Sequence, residues 1–507
     1  MNIMNFFKRN KKPAPAQKRG FTAAKMTDLT AGWGTTTVSL DSELRGDLRS
    51  LRARSRNLAQ NDPYFKRFLQ LARQNVVGSN GIRLKSDVQE ETKDGIKRDE
   101  AAIKTIQAAW NDWGRAENCT VRKNVTWRMF QEVALQQAMR DGEVFIRKIR
   151  NYKGNDYKFA LEVINADNLD EGFEKRLSNG NYIKMGIEFD KWSTPIAYHF
   201  WKNPPNEYTI TTHQRNERIC VPAKDVIHLF MPEDLSQSRG FPWGVTSMLR
   251  TQKLNGYEDA EVSAAQAAAR HMGFFMSADG ESYNGDGNGT SASGKERPVS
   301  EMEGLEYEQL AHGIEYKSAN KEHPTGAYEA FIKGVLRGIA SGLGIGYNTL
   351  ANDYEGVNFS SLRQSNLTER DCWRSVQKWL IETLHEEVFT DWLWMALATR
   401  KVALPLDKFD KFKAAKWQPR GWQWVDPLKE INANKEAINN NLTSATEVAA
   451  QQGYDLESIY KDIADEKKLR AKYGIAEVVE AAPAAQPLPE GDADDDAADN
   501  KQKPKKD

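Results

Sequence analysis

Residues 289–295, GTSASGK, match the GxxxxGK spacing that cradles a phosphate. Such a loop needs Ser or Thr next to hold magnesium, and it must join a buried strand to a helix. Here Glu296 follows, its charge repels phosphate, and the stretch lies in a Gly/Ser/Asn-rich tract leading to Pro298. Gly342, Gly344 and Gly346 make a GxGxG. A dinucleotide site places such glycines between a first strand and its helix. These follow a helical run, so a helix exit and turn is the reading. Asp141 and Glu143 flank Gly142 and could ligate a metal together, but a turn entering a strand accounts for them better. His228 sits in the strand-like VIHLF, where a satisfied core or interface role is the default. His271 and His385 lie on helical runs without a second histidine one turn away. Cys119, Cys220 and Cys372 are far apart and form no CxxC, so neither zinc nor a disulfide framework is indicated. Nothing clusters as Ser/His/Asp or Cys/His. No catalytic residue, metal or cofactor is expected, and any ATP-driven work must come from a partner.

The other chemistry on offer is cationic. Between Arg45 and Arg73 there are eight Arg or Lys against two acids. Tyr64 and Phe65 precede Lys66 and Arg67, a pairing that could stack bases. The helical spacing instead puts Phe65 on an apolar stripe with Phe68, Leu69, Ala72 and Val76. Formal net charge is 0 over 507 residues. Tight duplex binding comes largely from neutralising phosphates, so neutrality argues against tight, static binding without excluding DNA. No zinc finger, RNP signature or clear helix-turn-helix appears, so sequence-specific reading of DNA is not expected.

The elements that must carry these residues follow an α+β order. A length of 507 residues predicts two to four domains. Residues 1–40, basic and then Thr- and Gly-rich, read as a flexible arm. Helices are predicted at 41–60 and 62–77, with Asp62 as cap, Pro63 in the first turn and Gly78 as a left-handed stop. Further helices are predicted at 99–113 and 127–140. Strands are predicted at 144–149, 158–164, 182–189, 196–201 and 226–231. The longest helical run covers 244–276, with Gly256 and Gly273 as candidate breaks and six alanines after Asp259. Residues 279–298 are low-complexity. Helices return at 327–343, 369–398 and between 427 and 471, and the last thirty or so residues read as a disordered tail. No stretch of about 18 apolar residues occurs, so no membrane span is expected, and the absence of a signal peptide and of cysteine pairs fits a reducing cytoplasm.

Six blocks carry a resemblance. They are LRARSRNLAQNDPYFKRFLQLARQNVVGSNGIR (51–83), DGEVFIR (141–147), LEVINADNLD (161–170), IAYHFW (196–201), VPAKDVIHLFMPEDLSQSRGFPW (221–243) and WQWVDPLKE (422–430). Together and in this order they resemble the lambda-type portal proteins of tailed bacteriophages, over roughly 41–470. The resemblance implies a portal-type fold with a helical wing, a β-rich middle, a long stem helix and a helical crown, assembling into a ring of about twelve copies around a channel. It implies a virion protein, assembled in the bacterial host cytoplasm, at one capsid vertex. Its implied partners are double-stranded DNA passing through, a terminase motor, a major capsid or scaffold protein, and a head-tail adaptor. The parts would be a wing at 41–240 whose β-rich part is the candidate clip, a stem at 241–276, and a loop tract with a tunnel-region helix at 277–365. A wing return at 366–426, a crown at 427–475 and a tail at 476–507 complete the chain. Arg52, Arg54 and Arg56 become candidates for pairing with acids of neighbouring subunits. Arg250, Lys253, Glu258 and Glu261 become candidate stem residues. The channel-facing loop lies either in 279–325 or in 348–358, with Asn352, Asp353, Tyr354 and Glu355 as its candidates. A DNA-packaging nuclease or ATPase, or another phage ring or capsid subunit, is the alternative.

Overall fold

The computed structural model describes residues 28, 32, 34, 35, 37–92, 95–203, 217–269, 273–277, 314–318, 328–422 and 427–475. Most of the expected arm, the GTSASGK loop, the 279–298 tract, His271 and the tail lie outside these residues. The chain divides into two units, Met1–Pro419 and Arg420–Asp507.

Helix α1 (Leu40–Asn61) starts at Ser39, whose hydroxyl accepts from the Ser42 N–H. Asp62 breaks it with an extended backbone and caps α2 (Pro63–Ala72) by accepting from the Phe65 N–H. The stripe of Phe65, Phe68, Leu69, Ala72 and Val76 is buried, as its spacing predicts. Helix α2 loosens into a π turn, Arg73–Val77, and stops at Gly78. Gly78 has the expected positive φ, 69°, but an extended ψ of −178°, a region essentially restricted to glycine. The Asn75 carbonyl of this turn accepts from the Gln377 side chain at 2.9 Å.

Strand β1 (Arg83–Ser86) and the hairpin β2 (Gln89–Thr92) and β3 (Gly95–Arg98) lead to α3 (Glu100–Trp113), one turn α4 (Ala116–Cys119) and α5 (Trp127–Asp141). Strands β4 (Val144–Arg150) and β5 (Phe159–Ile164) follow. Next come β6 (Lys175–Arg176), β7 (Tyr182–Lys184), β8 (Ile187–Phe189), β9 (Pro195–Trp201), β10 (Arg218–Pro222) and β11 (Val226–Leu229). Two antiparallel sheets result, ordered β11-β4-β5 and β10-β9-β8-β7-β6. Phe145, Leu169, Ile187, Phe189, Tyr198, Phe200, Val221 and Val226 pack together as one buried cluster. The single strand expected over 182–189 is a hairpin instead. Met185 and Gly186 turn it with φ of 49° and 84°, the paired positive values of a tight two-residue loop.

Helix α6 (Val245–Ala269) is shorter than the predicted run. It passes through Gly256 unbroken, and Gly273 opens strand β12 (Gly273–Ser277), paired with β13 (Ile314–Ser318). Then come α7 (Tyr328–Leu343), α8 (Tyr347–Ala351) and α9 (Phe359–Leu380), which starts ten residues before the predicted helix. A π turn, Ile381–His385, joins α9 to α10 (Glu386–Ala398). A short turn α11 (Phe409–Phe412) and β14 (Ala415–Gln418), paired with β1, close the unit. Around α3, α5 and α10 an aromatic core gathers Trp110, Trp113, Trp127, Phe389, Trp392 and Trp417, most ring centroids lying 4.9–6.2 Å apart.

The second unit carries α12 (Pro427–Asn439), α13 (Ala445–Gln451) and α14 (Leu456–Lys472). No residue of α12 or α13 is buried. Among the described residues, no helix is long and apolar enough to cross a membrane.

Candidate functional site: a buried junction of sequence blocks

Four of the six blocks meet around one carboxylate. Glu143 follows α5 by a sharp turn at Gly142, whose φ is +90° and whose added Cβ would lie 2.2 Å from the Phe241 carbonyl carbon. This turn places the Glu143 side chain, 0% exposed, in the interior. Oε1 accepts from Arg52 Nη2 of α1 and from Arg239 Nε at 2.8 Å. Oε2 accepts from His228 Nε2 of β11 and from the Gly240 N–H, each at 2.8 Å. Arg239 also donates to the Met185 carbonyl at 2.8 Å. Beside this, Asp141 pairs with Arg56 and Arg140, and Asp167 pairs with Arg56. Asp167 and Glu171 lie 3.8 and 3.9 Å from Arg52. Four arginines face four acids, so the junction is neutral overall.

The electrostatics follow from packing. Burial pushes the Glu143 carboxyl up, but the Arg239 and Arg52 guanidiniums and the His228 hydrogen bond outweigh it and hold it well below the usual carboxylate range. His228 is pushed down, chiefly by burial between Phe145 and Phe230, whose ring centroids are each 4.4 Å from its own. The neutral imidazole then donates from Nε2 to the ionised Glu143. Burial is also the largest influence on Arg56, yet its bonds to Asp141 and Asp167 raise it.

Such a carboxylate is saturated. Its lone pairs are filled by guanidinium, imidazole and backbone donors, leaving none for a metal or a substrate. Among the described residues, no group of His, Cys, Asp and Glu is arranged to hold a metal ion. The reading of Asp141 and Glu143 as a turn entering a strand holds, but Glu143 is also the hub of the fold. Arg239, absent from the sequence-level candidates, is fully buried here. Its only sequence signal was the short SRG before an apolar run.

The three candidate arginines of α1 separate. Arg52 is 1% exposed and committed to Glu143, so it has no surface to offer a neighbouring subunit, and that expectation is corrected. Arg56 is likewise turned to acids of its own chain. Arg54 is exposed.

The stem candidates lie along α6. Arg250 is exposed and lies against Gly338 of α7, and Lys253 is exposed. Glu258 accepts from Tyr64 Oη at 3.1 Å, and burial pushes its carboxyl up. Glu261 is half-buried. The base of α6 is seated on α7: Ser247 Oγ donates to the Ile339 carbonyl at 3.0 Å and Thr246 Oγ1 to the Gly342 carbonyl at 3.1 Å. From Asn255 to Gln266 no residue of α6 is buried.

The loop candidates form the α8–α9 turn. Asn352, with φ of 53°, accepts from Arg67 Nη2 at 3.2 Å. Asp353 accepts from Tyr347 Oη at 2.7 Å and has Lys333 at 3.5 Å. The Tyr347 hydrogen bond is the main cause of its lowered pKa. Tyr354 and Glu355 are exposed.

Known proteins resemble this chain in sequence. The family model described as "Phage portal protein, lambda family" matches residues 27–377. The probable portal protein of Halomonas phage phiHAP-1 is 32% identical over 465 residues, covering 91% of this chain and 88% of that protein. Portal protein B of Escherichia phage lambda is 22% identical over 484 residues, covering 87% and 88%. Among solved structures, the neck of an empty gene transfer agent particle aligns with 84% of this chain and 97% of its own, at 12% identity and a TM-score of 0.41, a loose likeness. The match over residues 27–377 and the 32% identity along most of both chains place this chain in the lambda family of phage portal proteins.

Proposed function

We propose that copies of this chain, about twelve, close into a ring at one vertex of a phage head, around the channel through which double-stranded DNA is packaged and ejected. The observation that supports assembly is the surface left uncovered by a lone chain. From Asn255 to Gln266 no residue of α6 is fully buried, and unit two holds exposed Leu428, Leu442, Tyr460, Leu469 and Tyr473. Identical copies in a closing rotation would cover such surfaces with one repeated contact. The saturated Glu143 junction supports a structural role, because it offers no group to a reaction. On this reading the wing comprises 41–240 and 366–426, and α6 is the stem, with α7 beside its base. The loop tract and tunnel region span 277–365, with 352–355 as the described candidate loop, and the crown spans 427–475. The terminase motor, the capsid or scaffold protein and the head-tail adaptor would dock on the ring, and the protein would reside in the virion.

Electron microscopy of the purified chain tests this. The expected image is a ring of about twelve copies with an axial channel. A closed shell or a six-fold ring counts against it, as does ATP hydrolysis above background.

A further inference from the structure

Unit two presents a groove of about 490 Å³ lined by Pro427, Ile438, Ala445, Val448, Tyr454 and Ile459. It also presents an apolar knob. Helix α14 ends in a Schellman turn, in which Ile475 N–H bonds the Arg470 carbonyl at 3.0 Å and Gly474, with φ of 68°, bonds Ala471. That turn fixes Leu469, Tyr473 and Ile475 at the helix end, 55%, 67% and 57% exposed. We propose that the knob of one copy docks in the groove of the next copy. The proposal rests on the ring reading and names the contact that would build the crown.

The knob cannot fill its own groove. Ile459 is in the groove wall, Leu469 is on the same continuous helix and Tyr473 directly follows its end. At 1.5 Å per residue they stand about 15–21 Å further along it. Two complementary patches fixed apart on one rigid element can meet only between chains, and such head-to-tail contacts propagate around a ring. Charge agrees. The knob's helix end carries Lys467, Lys468, Arg470 and Lys472; Lys468 and Arg470 pair with Asp465 and Glu466, which still leaves a net positive end, whereas Glu447, Asp455 and Glu457 neighbour the groove residues in sequence. The basic end of one copy therefore meets the acidic end of the next.

The test uses the full chain with Cys220→Ser and Cys372→Ser, since both thiols are exposed while Cys119 is buried. Val448→Cys and Leu469→Cys are added together or singly. After mild oxidation, the double variant should give a ladder of covalent multimers on a denaturing, non-reducing gel. Each single variant should stay monomeric, and the two singles assembled together should give dimers only. Rings seen by electron microscopy without a ladder would overturn the contact, as would a bond formed within one chain, which would mean that α14 folds back. A ladder without rings would keep the contact and sink the ring reading, because the same pairing would then build open filaments.

Discussion

Glu143 sets the balance of charge in the interior, and its removal deprives Arg239 of its counter-ion and leaves Arg52 only the more distant Asp167 and Glu171. Glu143→Gln should therefore lower stability by about 3–5 kcal/mol, read as a shift in the denaturant midpoint. The pH dependence has a defined sign. His228 is held below its unfolded value, so its contribution is intact above about pH 6.5 and declines as the unfolded state takes up a proton. Glu143 is also depressed, so its contribution is intact above about pH 4.3 and is lost as pH falls through its folded value. The unfolding midpoint should be flat between about pH 7 and 8, decline below about 6.5, where burial holds His385 down as it does His228, and drop faster below about 4.3; in Glu143→Gln the second drop should shrink. Arg52→Glu would set a second carboxylate against Glu143 and should prevent folding, read by loss of soluble protein. Arg54→Glu should fold normally, and so it is the variant that can probe assembly. The turn at Gly142 was legible from Asp-Gly-Glu alone. The hub was not, because its partners lie 85 to 97 residues from Glu143 in sequence, and spacing carries no signal over that distance.

Helices α1, α3, α5 and α7 lie within a residue or two of where periodicity puts them, and so does α2 together with its π turn, as caps such as Asp62 are local chemistry. The strand pair at 182–189 was misread because Ile183, Met185, Ile187 and Phe189 alternate as in one strand. All four are buried, but by a hairpin folded at Met185-Gly186. Likewise the alanines after Asp259 sustain helix to Ala269, but by Gly273 the chain is already in strand β12. The α6–α7 seat gives a graded test. A Cβ at Gly342 would stand 2.3 Å from Ser247 Oγ, which is held by its bond to Ile339. Gly342→Ala should cost about 1–3 kcal/mol. At Gly338 the obstacle is the end of the exposed Arg250 side chain, which can swing away. Gly338→Ala should be neutral or stabilising by up to about 1 kcal/mol. Thermal melts of the two variants check the contrast.

If the proposed ring guides DNA, a neutral chain should hold it loosely. With few phosphates neutralised, affinity of the assembled protein for duplex DNA should fall less than about tenfold between 50 and 200 mM salt, measured by fluorescence anisotropy. A steep salt slope would mean a cationic channel that the net charge conceals. Helix α6 leaves the body through Gly240, Phe241, Pro242 and Trp243, and Gly240 is bonded directly to Glu143. The Trp243 N–H is tied to the Met139 carbonyl at 3.0 Å. A 25-residue helix is about 37 Å long. A root error of about 5° would therefore displace its tip by about 3 Å, from the same rise per residue. Apolar packing is non-directional and tolerates such a tilt, whereas a carboxylate filled from fixed directions does not. The charged junction at the root thus acts as an angular reference for the tip of α6, and in the proposed ring it would set how accurately the tips of neighbouring copies come into register.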